Sequence, residues 1–128
     1  MSEQGHLFDT GALIDIYRGR ERIRPYFEAL AERPAHISVI SEAELWLGLQ
    51  PDEVARHEAL LAYFTILSVT SAVARQAGKW MQRYRHQGLG WMDALIVATA
   101  RQEGMVILTR DRRLASVLLE EATFTIYD

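Results

Sequence analysis

The run MDALIVATARQEGMVIL, residues 92–108, narrows the choice of fold more than any other part of this chain. Ala94, Leu95, Ile96, Val97 and Ala98 follow one another, so a helix over 92–103 is apolar on nearly every side and has to be buried. Gly104 ends it. Residues 105–108 then make a strand without a polar face, the pattern of a strand covered on both sides. A buried helix feeding such a strand implies helices on both faces of a mainly parallel sheet.

The rest of the chain repeats the alternation. Residues 6–9 read as a short strand, after which Thr10 can cap a helix bearing Leu13, Ile14 and Tyr17 on one face. Ile23, Tyr26, Phe27, Leu30 and Ala31 mark a second helix, with Pro25 near its start and Pro34 beyond its end. Residues 36–40 read as a strand, Ser41 as the cap of a helix over 42–49, and Gly48 with Pro51 as its close. A helix over 52–64 follows, then a strand over 66–69. Ser71 is placed to cap the longest helix, whose Val73, Ala77, Trp80, Met81 and Tyr84 lie opposite Arg75, Lys79 and Arg83. Gly88 and Gly90 interrupt the chain before the buried helix. A last short helix over 111–119 and an alternating edge strand over 123–127 complete the order β-α-α-β-α-α-β-α-α-β-α-β. The expectation is one three-layer α/β/α domain over residues 1–128, with about five mainly parallel strands and no linker or repeat.

Composition serves mainly to exclude. Without cysteine there are no disulfides and no thiolate metal sites. No apolar run nears the roughly 18 residues of a membrane span. Residues 1–10 lack a basic region followed by an apolar one, so the expected location is the cytoplasm. His6, His36, His57 and His86 show no zinc-site spacing. The net charge of −3, from 14 basic and 17 acidic residues, counts weakly against a nucleic-acid partner. Setting aside four carboxylates that hold cations leaves 13 acidic residues against 14 basic, and the objection lapses. All the basic residues but Lys79 are arginine, which suits bidentate phosphate contacts, although a GC-rich genome produces the same bias.

Open parallel sheets bind ligands beyond the carboxyl ends of their strands, where the strand order reverses. Asp9 ends the first strand, Glu44 lies in the first turn of the helix after the second, Asp93 opens the buried helix, and Asp111 follows the fourth strand. All four belong to one edge of the sheet. Each also has a purely structural reading: Ser41 and Glu44 fit a capping box, and Asp93 and Asp111 suit helix N-termini. Magnitudes favour a shared role. Two carboxylates about 5 Å apart repel by roughly 3 kcal/mol at an effective dielectric near 20, whereas a cap contributes about 1 kcal/mol. Four converging acids therefore take up protons or bind a cation. Mg²⁺ or Mn²⁺ fits carboxylate oxygens, water and phosphate. Such an ion acidifies water and stabilises in-line displacement at phosphorus, with no serine, cysteine or histidine nucleophile. Thr109 can orient a water or a phosphate, and Arg110, Arg112 and Arg113 flank the position and can hold phosphates. Asp15, six positions past Asp9, is expected in solvent, and Glu42 is expected to point away from Glu44.

At these residues the chain resembles the PIN-domain family, and its compact length is similar to that of VapC-type toxins. FDTGALID resembles the family's opening, SVISEAELWLG its second element with Glu44, and WMDALIVATARQEGMVILTRD its third and fourth. The segments occur in order over residues 9–111. The resemblance implies a PIN-like fold and an endoribonuclease that uses Mg²⁺ or Mn²⁺ at Asp9, Glu44, Asp93 and Asp111. It also implies an RNA substrate, a cognate antitoxin and a homodimer. Two positions depart from the family pattern: Gly11 stands where Asn or Ser is frequent, and Arg-Arg-Leu follows Asp111 in place of a polar-aromatic run. Both bear on substrate contacts more than on the metal site. Trp46, Leu47 and Leu49, with Trp80, Met81 and Tyr84, are either ordinary core or, as the resemblance implies, a dimer contact and an antitoxin groove.

Two other classes stay open. A phosphohydrolase of the haloacid-dehalogenase kind needs a second aspartate two residues after the first, where Gly11 stands, and a phosphorelay receiver needs a late lysine, whereas Lys79 lies within a helix. The other class is a non-catalytic α/β interaction module whose acids only cap helices.

Overall fold

A five-stranded sheet runs through the computed structural model, which describes residues 5–29 and 32–128. Its strands are β1 (His6–Phe8), β2 (Ala35–Ser38), β3 (Thr65–Leu67), β4 (Val106–Thr109) and β5 (Phe124–Ile126). Every pairing is parallel, in the spatial order β3-β2-β1-β4-β5. Leu7 pairs with Ile107 and Phe8 with Leu108. Successive side chains point to opposite faces, so Leu7 and Ile107 enter one core layer while Phe8 and Leu108 enter the other. All four positions of β4 are buried because helices cover both its faces, as the apolar run 106–108 demands. β3 and β5 are the edges, and β3 leaves Thr65 and Ile66 exposed.

Around the sheet lie α1 (Thr10–Tyr17), α2 (Arg24–Glu28), α3 (Val39–Leu47), α4 (Val54–Leu61), α5 (Ser71–Tyr84), α6 (Trp91–Gln102) and α7 (Arg112–Val117). Val73, Ala77 and Trp80 of α5 meet Ala94 and Val97 of α6 on the Leu7 face. Ala12, Leu13, Leu61 and Phe64 fill the Phe8 face. The one polar residue in the buried stretch of α6, Thr99, donates its hydroxyl to the Leu95 carbonyl at 2.8 Å and so carries no desolvation penalty. Among the described residues no helix is long and apolar enough to cross a membrane.

Helix starts fall earlier than the sequence suggests. Asp9, not Thr10, caps α1, its Oδ1 accepting from the Ala12 N–H at 2.8 Å. Ser38, not Ser41, caps α3, and Thr70, not Ser71, caps α5. A cap needs extended backbone, which Asp9, Ser38 and Thr70 have and the residues after them have lost. The helix expected over 52–64 is a 3-10 turn, Pro51–Glu53, followed by α4; the second helix is a 3-10 turn, Glu21–Ile23, followed by α2. Leu30 and Ala31 lie outside the described residues.

From β1 the chain steps outward to β2 and β3, then crosses back to β4 and β5 on the other side. The strand order therefore reverses between β1 and β4. Their carboxyl ends carry Asp9 and Asp111, at the crevice such sheets present to ligands.

Candidate active site

Asp9 extends β1 by one residue, its N–H donating to the Leu108 carbonyl at 3.1 Å. While its Oδ1 receives Ala12, its Oδ2 receives the hydroxyl of buried Thr109. Thr109 Oγ1 also accepts the Asp111 N–H at 3.0 Å, and Asp111 Oδ1 caps α7 through the Leu114 N–H at 3.0 Å. Thr109 is thus a strut between the two aspartates. Asp93 is the third residue of α6 rather than its first.

Glu44 sits in the second turn of α3, because that helix begins a turn earlier than expected. Its Oε1 accepts the Thr10 hydroxyl at 2.6 Å, and Thr10 Oγ1 lies 2.9 Å from Ser41 Oγ. The capping-box reading of Ser41 and Glu44 fails for this reason: Ser38 has taken the cap, and Glu44 turns to α1 instead. Thr10 and Ser41 are the site neighbours that sequence reasoning missed. Their hydroxyls looked like caps, and only the packing of α1 on α3 brings them together.

Burial pushes the Asp9 carboxyl up to about 6 although its hydrogen bonds from Thr109 and Ala12 pull it down, and the charges of Asp93 and Asp111 add to the rise. Asp93 is raised as well, first by loss of water and then by Asp111 and Glu44. A first-turn position would by itself lower it, so desolvation and repulsion win. These couplings join acids from four separate elements into one electrostatic patch. Among the described residues no three carboxylates or imidazoles close to the spacing of a preformed metal cage. An ion that keeps several waters and takes one or two carboxylates directly needs no such cage, and an all-oxygen donor set suits a hard cation.

Asp15 corrects the sequence reading: it is fully buried, not solvated. Arg110 Nη1 stands 2.9 Å from its Oδ1, Arg20 Nε 3.2 Å from the same oxygen, and the Tyr127 hydroxyl donates to Oδ2 at 2.8 Å. Arg110 and Tyr127, 95 and 112 positions away, leave no local trace in the sequence around Asp15. Burial, then the neighbouring Asp15, pushes the Tyr127 phenol far above its usual range and keeps it a donor. Arg110 is therefore held by buried Asp15, while exposed Arg112 pairs with exposed Asp128 at 2.6 Å. Arg113 donates to the Gln87 carbonyl at 3.3 Å. At Gly11 a Cβ would meet Arg110 Nε and Asp9 Oδ1 at 3.6 Å, ordinary contacts, so glycine here is not forced by crowding.

Beside Glu44, a groove of about 230 Å³ runs between α1, α3 and α4, lined by Ile14, Tyr17, Leu45, Leu49, Glu53 and His57. The Trp46 ring stands edge-on to buried His57 at 5.2 Å. Trp46 is 41% exposed and Leu47 90%, whereas Trp80 and Tyr84 belong to the core. The apolar surplus noted in the sequence thus divides between surface and interior.

The PIN-domain family model matches residues 7–118. The chain is 38% identical over 106 residues to Ribonuclease VapC10 of Mycobacterium tuberculosis, covering 80% of each. It matches a chain of a toxin–antitoxin complex from Klebsiella pneumoniae with a TM-score of 0.78 and 27% identity, over 94% of this chain and 96% of that one. VapBC2 from Rickettsia felis, bound to a DNA fragment from its promoter, matches with a TM-score of 0.82 over 96% and 98% of the two chains. Its identity is 18%, a likeness of fold.

Proposed function

Because this chain belongs to the PIN-domain family, we propose that it is a divalent-metal-dependent endoribonuclease and the toxin of a toxin–antitoxin pair. The observation that carries this reading is the gathering of Asp9, Glu44, Asp93 and Asp111 where the strand order reverses, with Asp9 and Asp93 raised by burial and by the neighbouring acids. Identity with a ribonuclease supports RNA as the substrate. Asp9, Glu44, Asp93 and Asp111 are the residues that would hold the cation, Mg²⁺ or Mn²⁺. Bound there, it supplies positive charge for in-line displacement at phosphorus and acidifies the attacking water. The protein's own part is positioning. Asp9 is held by Ala12 and Thr109, Glu44 by Thr10, and Thr109 fixes how far Asp111 stands from Asp9. Partial burial of Asp9 keeps its repulsion poorly screened, which is the strain a cation relieves.

The groove beside Glu44, with exposed Trp46 and Leu47 near it, is the proposed seat of an apolar segment of a cognate antitoxin. The match to a chain of a toxin–antitoxin complex supports that partner. A homodimer belongs to the same reading.

Cleavage of a labelled RNA with Mg²⁺ or Mn²⁺, its arrest by EDTA, and its loss in Asp9→Asn and Asp93→Asn with unchanged circular dichroism are the expected results. Intact RNA in both metals, with no heat of Mn²⁺ binding at millimolar concentration, would leave the non-catalytic module as the better reading.

A further inference from the structure

We propose that single-stranded RNA approaches the acidic site along a cationic cleft on the outer face of α5 and stacks a base on Trp91; this rests on the ribonuclease reading above. An exposed large apolar residue is unremarkable alone, and Trp91 is 52% exposed. Its company is what matters. A cleft of about 720 Å³ brings Trp91 together with Arg75, Lys79, Gln82 and Arg85, and no acidic residue lines it. Among the described residues the side chains of Arg75, Lys79 and Arg85 make no hydrogen bond or ion pair. Nearby Arg83 and Arg101, by contrast, are both engaged by Glu121. In a chain of net charge −3, this lining holds three cations and no carboxylate.

The spacing fits an extended polyanion. Arg75, Lys79 and Gln82 follow one stripe of α5, away from its buried Val73, Ala77, Trp80 and Tyr84, and Arg85 continues it in the 3-10 turn Arg85–Gln87. From Arg75 to Arg85 the rise is roughly 15 Å, the length of a few nucleotides. Gly78 lies on the same lining, where an added Cβ would stand in open space. Trp91 begins α6 two residues before Asp93. The two side chains leave the helix on opposite sides, so a strand stacked on the indole passes round the start of α6, over exposed Gly90, to reach the carboxylates. Aromatic stacking beside backbone-tracking cations is the usual means of holding single strands without reading sequence. A second copy of this chain is the poorer occupant, since a two-fold contact would set these unpaired cations against their own counterparts.

The test is fluorescence anisotropy of a labelled mixed-sequence oligoribonucleotide with the full chain in EDTA, over a range of salt. Trp91→Ala is expected to weaken binding about tenfold with an unchanged salt slope, and Trp91→Phe to recover most of that loss. Lys79→Glu and Arg85→Glu are expected to weaken binding and to lower the salt slope by about one each. Arg22→Glu, the same charge change on another element, should do neither. Wild-type affinity and slope in the cleft variants of a chain that still cleaves RNA would overturn the cleft and leave the ribonuclease reading standing. A changed mass by light scattering in those variants, with RNA affinity intact, would overturn it in favour of a subunit contact. A wild-type chain that neither binds nor cleaves RNA overturns both.

Discussion

Asp9 accepts two hydrogen bonds, yet its carboxyl still rises to about 6 because burial outweighs them. In an unfolded chain the same group titrates near 3.8. The native state therefore holds the proton more tightly, so Asp9 favours folding most below about pH 4, and that contribution is lost as pH rises towards 6. The gap corresponds to about 3 kcal/mol. Asp9→Asn keeps an oxygen for the Ala12 cap and removes the repulsion. Its metal-free form is expected to melt several degrees higher than wild type at pH 7.5 and to lose the pH dependence between 4 and 6; a lower Tm would mark the acid as structural. Asp15 is the opposite case. Buried beside Arg110, Arg20 and Tyr127, it is compensated by two cations, and Asp15→Ala strands the hydrogen-bond donors of Arg110 and Tyr127. The expected cost is roughly 3–5 kcal/mol in urea unfolding, with about 2 kcal/mol for Tyr127→Phe.

At the scale of elements, the site depends on where helices start. α6 delivers Asp93 because Gly88, at φ +94°, turns the chain out of the preceding 3-10 turn. A Cβ there would be strained and would collide with the Arg113 guanidinium of α7. Gly88→Ala is expected to destabilise by about 1 kcal/mol and to lower cleavage more than Tm alone explains, since α7 also carries the Asp111 cap. Thr70 accepts from the Val73 N–H at 3.2 Å to start α5. Thr70→Ala should cost about 1 kcal/mol and leave cleavage unchanged below the melting transition, because the four acids lie on other elements and the cleft residues of α5 begin at Arg75, beyond its first turn.

For the whole molecule, a cation shared by four elements links metal binding to stability. Mn²⁺ at about 100 times its dissociation constant is expected to add roughly 2.7 kcal/mol, read as a rise in Tm that saturates with concentration. Asp93→Asn should lose most of that rise while its own metal-free Tm is unchanged or higher. An equal rise in wild type and variant would place the ion elsewhere. This prediction separates a shared site from four independent caps, because caps do not communicate.

Local patterns made the buried unit at residues 92–108, the alternation of strands with helices, and the placement of Asp9, Glu44, Asp93 and Asp111 at one edge readable from the sequence. Periodicity and residue type are properties of a few neighbouring positions, so one strand of text contains them. The strand order β3-β2-β1-β4-β5 was decided elsewhere, as were the caps at Asp9, Ser38 and Thr70, the Thr10 bond to Glu44, and the burial of Asp15. Thr109 and Asp9 are 100 positions apart, and Tyr127 and Asp15 are 112. Which donor a carboxylate meets across such distances depends on how the chain crosses the sheet, and only the packed layers settle that.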